Sequence, residues 1–136
     1  MFTHEKDVAT TLSTLLRTKI AEPFEKEQTM AAILGEEVSP RKISLLGTTQ
    51  VLLKLLERQR LNTSTLLLFG DVKGYQQEEV GLAKEFKTHT PNFTGALPTI
   101  DDKNLQTIRE PFNAGMKDLR ETSARILPLY IRPERN

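Results

Sequence analysis

Only two side chains in this 136-residue sequence, His4 and His89, exchange protons near neutral pH in an unperturbed environment, and neither sits in a metal-ligand motif. Cysteine is absent, which removes thiolate ligands, disulfides and thiol nucleophiles together. HExxH, GxSxG and GxGxxG do not occur. Gly70-Asp71-Val72-Lys73-Gly74 carries two glycines and a lysine next to an apolar run, but it lacks the GK[ST] ending through which a P-loop holds phosphate, so it reads as a turn. Asp101 and Asp102 are adjacent. On a helix they would point about 100° apart, which suits capping and not a paired acid and base. The expectation is a non-enzymatic protein with no catalytic residues, no metal ligands and no cofactor.

Binding chemistry remains. Arg41, Lys42, Lys54, Arg58 and Arg60 stand against Glu57 alone between residues 41 and 62, a local charge of +4. Residues 1 to 40 carry four bases and seven acids, a local charge of −3. The overall charge is only +1. The five cations form a candidate patch for an anion or a nucleic acid, and residues 50 to 69 can be drawn as a helix-turn-helix with its turn near Asn62. Two observations weigh against DNA: the basic excess is small, and Glu78 and Glu79 open the next helix, where they would face phosphates. The acidic first third and basic centre fit internal complementarity or a surface shared with a partner. A second candidate binding element is Leu129, Tyr130 and Ile131, an apolar tip between Pro128 and Pro133 that could dock on a partner or cap its own core.

The elements that must position these groups are helical. From Ile43 to Arg58, leucines and Val51 cover an arc of roughly 220°, with Gly47, Gln50, Lys54, Glu57 and Arg58 confined to the rest. A surface helix needs an apolar stripe of only about 100°, so this one must be covered on three sides. Ser39 and Pro40 suit its start, as N-cap and N1. Before it, Thr3 is a suitable cap for a first helix in which Val8, Leu12, Leu15, Leu16 and Ile20 share a face. Pro23 should end or kink that helix. A second, shorter helix follows, with Phe24, Ala31 and Leu34 inward and Gly35 as its stop.

Residues 64 to 69 could be strand or helix, and leucine favours helix. Tyr75 to Lys87 is the next helix, with Tyr75, Leu82, Ala83 and Phe86 on one face. Residues 88 to 98 hold two prolines and a glycine and read as a long loop. Thr99 to Asp102 has the form that opens a helix, and Leu105, Ile108, Phe112, Met116, Leu119, Ile126 and Leu127 carry an apolar face to a stop at Pro128.

These readings combine into an all-α chain, a compact bundle of five to six helices around a central buried helix at about residues 40–60, with minor or no strand content. One helical domain spans 1–128 and an extended tail spans 129–136. No apolar run approaches the ~20 residues that cross a bilayer, and the amino terminus lacks the basic-then-apolar pattern of a secretion signal, so no membrane is expected and a cytoplasmic location is. The expected function is protein–protein interaction or assembly, with another protein or a second copy as partner. Nucleic-acid binding through the basic 41–60 helix is the alternative.

Overall fold

The computed structural model describes residues 4–130, all helix and connecting turns, with no strand among them. Four long rods form the frame. The first joins α1 (His4–Leu16) to α2 (Glu22–Leu34) through one widened turn; the others are α3 (Pro40–Phe69), α4 (Val72–Ala96) and α6 (Arg109–Ile126). A single-turn helix, α5 (Lys103–Gln106), lies between α4 and α6. The all-α expectation holds, while the count falls from five or six to four because the first rod continues through Pro23 and α3 runs unbroken through residues 64 to 69.

Pro23 shows how. The turn over Arg17–Ala21 opens to i→i−5 bonding, with the Glu22 N–H donating to the Arg17 carbonyl. A π-turn gives the proline ring room just where the ordinary ladder has no donor, so the rod continues into α2. Pro91 lies inside α4, its ring exposed, while Phe93 and Leu97 beyond it are fully buried. Burial of those two side chains outweighs one missing hydrogen bond, so residues 88 to 98, expected as a loop, are helix and 3-10 turn. Asp102, with Thr99 already inside the preceding turn, caps α5 by accepting from the Asn104 N–H at 2.9 Å.

Glycine supplies the real breaks. Gly35 adopts φ 68°, and Glu36 N–H returns to the Ala31 carbonyl at 2.8 Å, closing α2. Gly70, at φ 65°, closes α3 in the same left-handed conformation. Asp71 then caps α4 through the Gly74 N–H at 3.0 Å. Between Pro40 and Gly70, α3 is unbroken, so residues 64 to 69 are helix. Ser39 precedes it with Pro40 at N1, but the serine side chain makes no capping bond. Thr3 lies outside the described residues.

The core confirms the periodicity. Val8, Leu12, Leu16 and Ile20 from the first rod meet Leu45, Leu46, Leu52, Leu55 and Leu56 of α3, with Leu82 and Phe86 of α4 and the Leu105-to-Leu119 face completing the cluster. Phe93 and Phe112 pack ring to ring at 4.4 Å, joining the end of α4 to the start of α6. A smaller cluster of Leu66, Tyr75 and Ile126 closes the opposite end. Leu34, expected inward, is 62% exposed because α2 has already run past the bundle. Ala83 is likewise exposed. Among the described residues no helix is long and apolar enough to cross a membrane.

Candidate binding groove

The basic residues of α3 do not form one open patch. Arg58 is gripped by two carboxylates of α4, Glu78 and Glu85, which raise its pKa above the usual guanidinium value and hold it charged. Arg60 pairs with Glu57 one turn away, and that bond draws the Glu57 carboxyl below its ordinary range. Lys42 reaches Glu27 of α2 at 3.1 Å and lies 5.7 Å from the Phe24 ring centroid. Arg41 donates to the Thr99 carbonyl at 3.0 Å. Lys54 is exposed and makes no ion pair among the described residues. Asn62, where a helix-turn-helix needs its turn, sits mid-helix and donates to the Tyr75 carbonyl at 3.2 Å, so that geometry is absent. Part of the charge split is therefore internal: α2 carboxylates meet the start of α3, with Glu25 also accepting from Gln50.

The three residues of the apolar tip are also parted. Leu129 belongs to a 3-10 turn and is 55% exposed. Tyr130 turns inward against the Leu66–Tyr75–Ile126 cluster, so it caps its own domain. Ile131 lies outside the described residues. His89 is half-buried within α4, and no group of three His, Cys, Asp or Glu that could hold a metal gathers among the described residues.

What the fold builds instead is a groove of about 880 Å³ between α4 and α6. Its origin lies in how the rods pair. α4 packs along α3 and α6 packs along α1. Phe93 meets Phe112 at one end of the pair, Tyr75 and Ile126 share the small cluster with Leu66 at the other, and the groove lies between. One wall is the face of α4 formed by Gln76, Val80, Ala83, Lys87 and Pro91; the other is the α6 face of Arg120, Ser123 and Ala124 running into Leu127. Phe86, Met116 and Leu119 make the apolar floor. These positions recur at three- and four-residue steps, so each wall is one helical stripe. The alanines at 83 and 124 keep the walls low.

A polar seam crosses the floor. Gln59 is 3% exposed, a buried amide on a helix whose other buried residues are leucines and two threonines, Thr49 and Thr63. Its Nε2 donates to Glu79 at 2.7 Å and to Ser123 Oγ at 3.5 Å, tying all three rods together. Asn62 adds a second donor to Glu79 at 3.3 Å. A buried amide without such partners would be costly, so the seam fixes the register of α3, α4 and α6. Thr90 also lines the groove, and its buried Oγ1 makes no hydrogen bond among the described residues, unlike Thr88 and Thr94 on the same helix, which bond back to carbonyls.

Comparison with family models, characterised proteins and solved structures finds no match. The groove must be read from its own chemistry. That chemistry is apolar surface with fixed polar points, the composition of a binding site. Helix periodicity does not mark it: the spacing in α4 and α6 identifies each stripe, while whether two stripes meet or stand apart depends on which third helix each prefers. The one local signal was Gln59, a polar residue where the leucine pattern of α3 expects burial.

Proposed function

We propose that this chain is a non-enzymatic, cytoplasmic helical module that binds protein, with the α4/α6 groove receiving one apolar face of a partner helix. The groove itself carries the reading. Between its closed ends, Gln76 to Pro91 of α4 rise about 22 Å at 1.5 Å per residue, enough for four turns of a docked helix. A helix laid there presents one apolar face to the lining and leaves the remainder in solvent. Polar groups on the floor are already bonded to one another through Gln59, Glu79 and Ser123, so an incoming apolar face displaces water from exposed Val80 and Ala83 and half-buried Leu127 without stripping those bonds.

The test uses a single cysteine, Ala124→Cys, labelled with a polarity-sensitive fluorophore and titrated with a synthetic acidic amphipathic helix bearing leucines at i, i+3, i+4 and i+7. Saturable blue-shifted emission is expected, weakened tenfold or more by Val80→Glu, which places a charge on an exposed wall position. Absence of saturation, or binding indifferent to Val80→Glu, overturns the reading.

A further inference from the structure

We propose that copies of this chain assemble head to tail, the exposed tip of α2 from one copy seated in the α4/α6 groove of the next. The proposal rests on the groove reading above and names its occupant.

The tip is a thinly supported helical surface. Of the thirteen residues of α2 only Phe24 and Ala31 are buried. Met30, Ile33 and Leu34, spaced i, i+3 and i+4, share one face and are 48%, 72% and 62% exposed. That spacing is the anchor pattern of a helix laid into a groove. Exposed apolar residues clustered in this way mark a contact surface more than scattered ones do.

Charge supports the same pairing. Immediately past Leu34, Glu36 and Glu37 are exposed, and neither is ion-paired among the described residues. The groove walls carry Lys87 and Arg120, also exposed and also without an ion pair among the described residues. Glu79, the acid of the lining, is engaged by Gln59 and Asn62. An acidic tip therefore meets a basic rim, which favours this encounter and its orientation over a tip-to-tip one.

The chain cannot satisfy itself. Contacts of α2 to α3 are made at Lys42 and Gln50, and the tip lies toward the start of α3, whereas the groove sits at Gln59. Lys42 and Gln59 are about 26 Å apart along α3. A second copy is needed, and because tip and groove are different patches the contact is heterologous. Successive copies then extend into a ring or an open filament.

Analytical ultracentrifugation of the full chain decides it, using Ile33→Glu to disable the tip and Ala124→Glu to disable the groove. Both positions are exposed, and circular dichroism checks that both variants keep the wild-type helix content. The wild type should gain mass with concentration, while each variant alone stays monomeric. Mixed in equal amounts, the variants should form a one-to-one dimer and nothing larger, because one contributes the only intact tip and the other the only intact groove. A wild type that is monomeric throughout overturns the proposal, as do variants that still assemble alone or a mixture that stays monomeric. If only Ile33→Glu has an effect, tips pair with tips and the proposal fails. Peptide binding in the groove by a strictly monomeric chain would sink this inference and leave the groove reading standing; loss of both would sink the two together.

Discussion

The two halves of α3 are equally buried at their deepest leucines and yet live in different surroundings. Leu52 and Leu66 are each 0% exposed. Leu52 belongs to the large cluster fed by every long rod, whereas Leu66 is enclosed mainly by Tyr75 and Ile126, with Thr63 and Gln59 as its buried neighbours along the helix. Stability is concentrated at the first end, where apolar packing is continuous. The second end holds its register through hydrogen bonds and leaves a groove beside them. The groove spans both surroundings, floored by Phe86, Met116 and Leu119 of the large cluster and crossed by the Gln59 seam.

The largest effects should fall on that contrast. Leu52→Ala should cost about 4–5 kcal/mol in urea unfolding, and Leu66→Ala about 2–3 kcal/mol, because a small cluster near a groove can relax into the space. Equal costs would mean that both ends are consolidated alike. A second break concerns α6 and α1. A Cβ placed on Gly115 would collide with the Leu12 side chain, which is 2% exposed and cannot yield cheaply. Gly115→Ala should therefore destabilise the wild type by about 1–2 kcal/mol, overpacking outweighing the better helix propensity of alanine. In a Leu12→Ala background the same substitution should stabilise, by up to about 1 kcal/mol. An unchanged sign would mean the rods are not in tight contact there.

Smaller effects belong to the charged surface. Arg58→Ala removes both of its bridges to α4, yet the side chains are around two-fifths exposed, so thermal stability should fall by less than about 1 kcal/mol and the loss should shrink at high salt. A large, salt-independent loss would move the weight of the polar end from the Gln59 seam to these bridges. Smallest is the effect of Arg60 on Glu57. The carboxyl is lowered in the folded state, so its contribution is present above the ordinary carboxylate range and is lost as pH falls through the lowered folded value. Arg60→Ala should return the Glu57 titration, followed by NMR, to the ordinary range.

The sequence determined the helical class, the buried faces of α1, α3 and α6, and the glycine stops at 35 and 70, because each follows from local spacing and backbone sterics. It could not determine whether Pro23 and Pro91 end a helix, since a proline's local penalty competes with burial of Phe24, Phe93 and Leu97 by residues distant in the chain. It supplied the cations of α3 and Glu57 beside Arg60, but not the carboxylates that claim Lys42 and Arg58, which arrive from α2 and α4. Only the tertiary structure opened the groove. Two amphipathic stripes look alike whether they close on each other or stand apart, and the choice was made where α4 took α3 as its neighbour and α6 took α1.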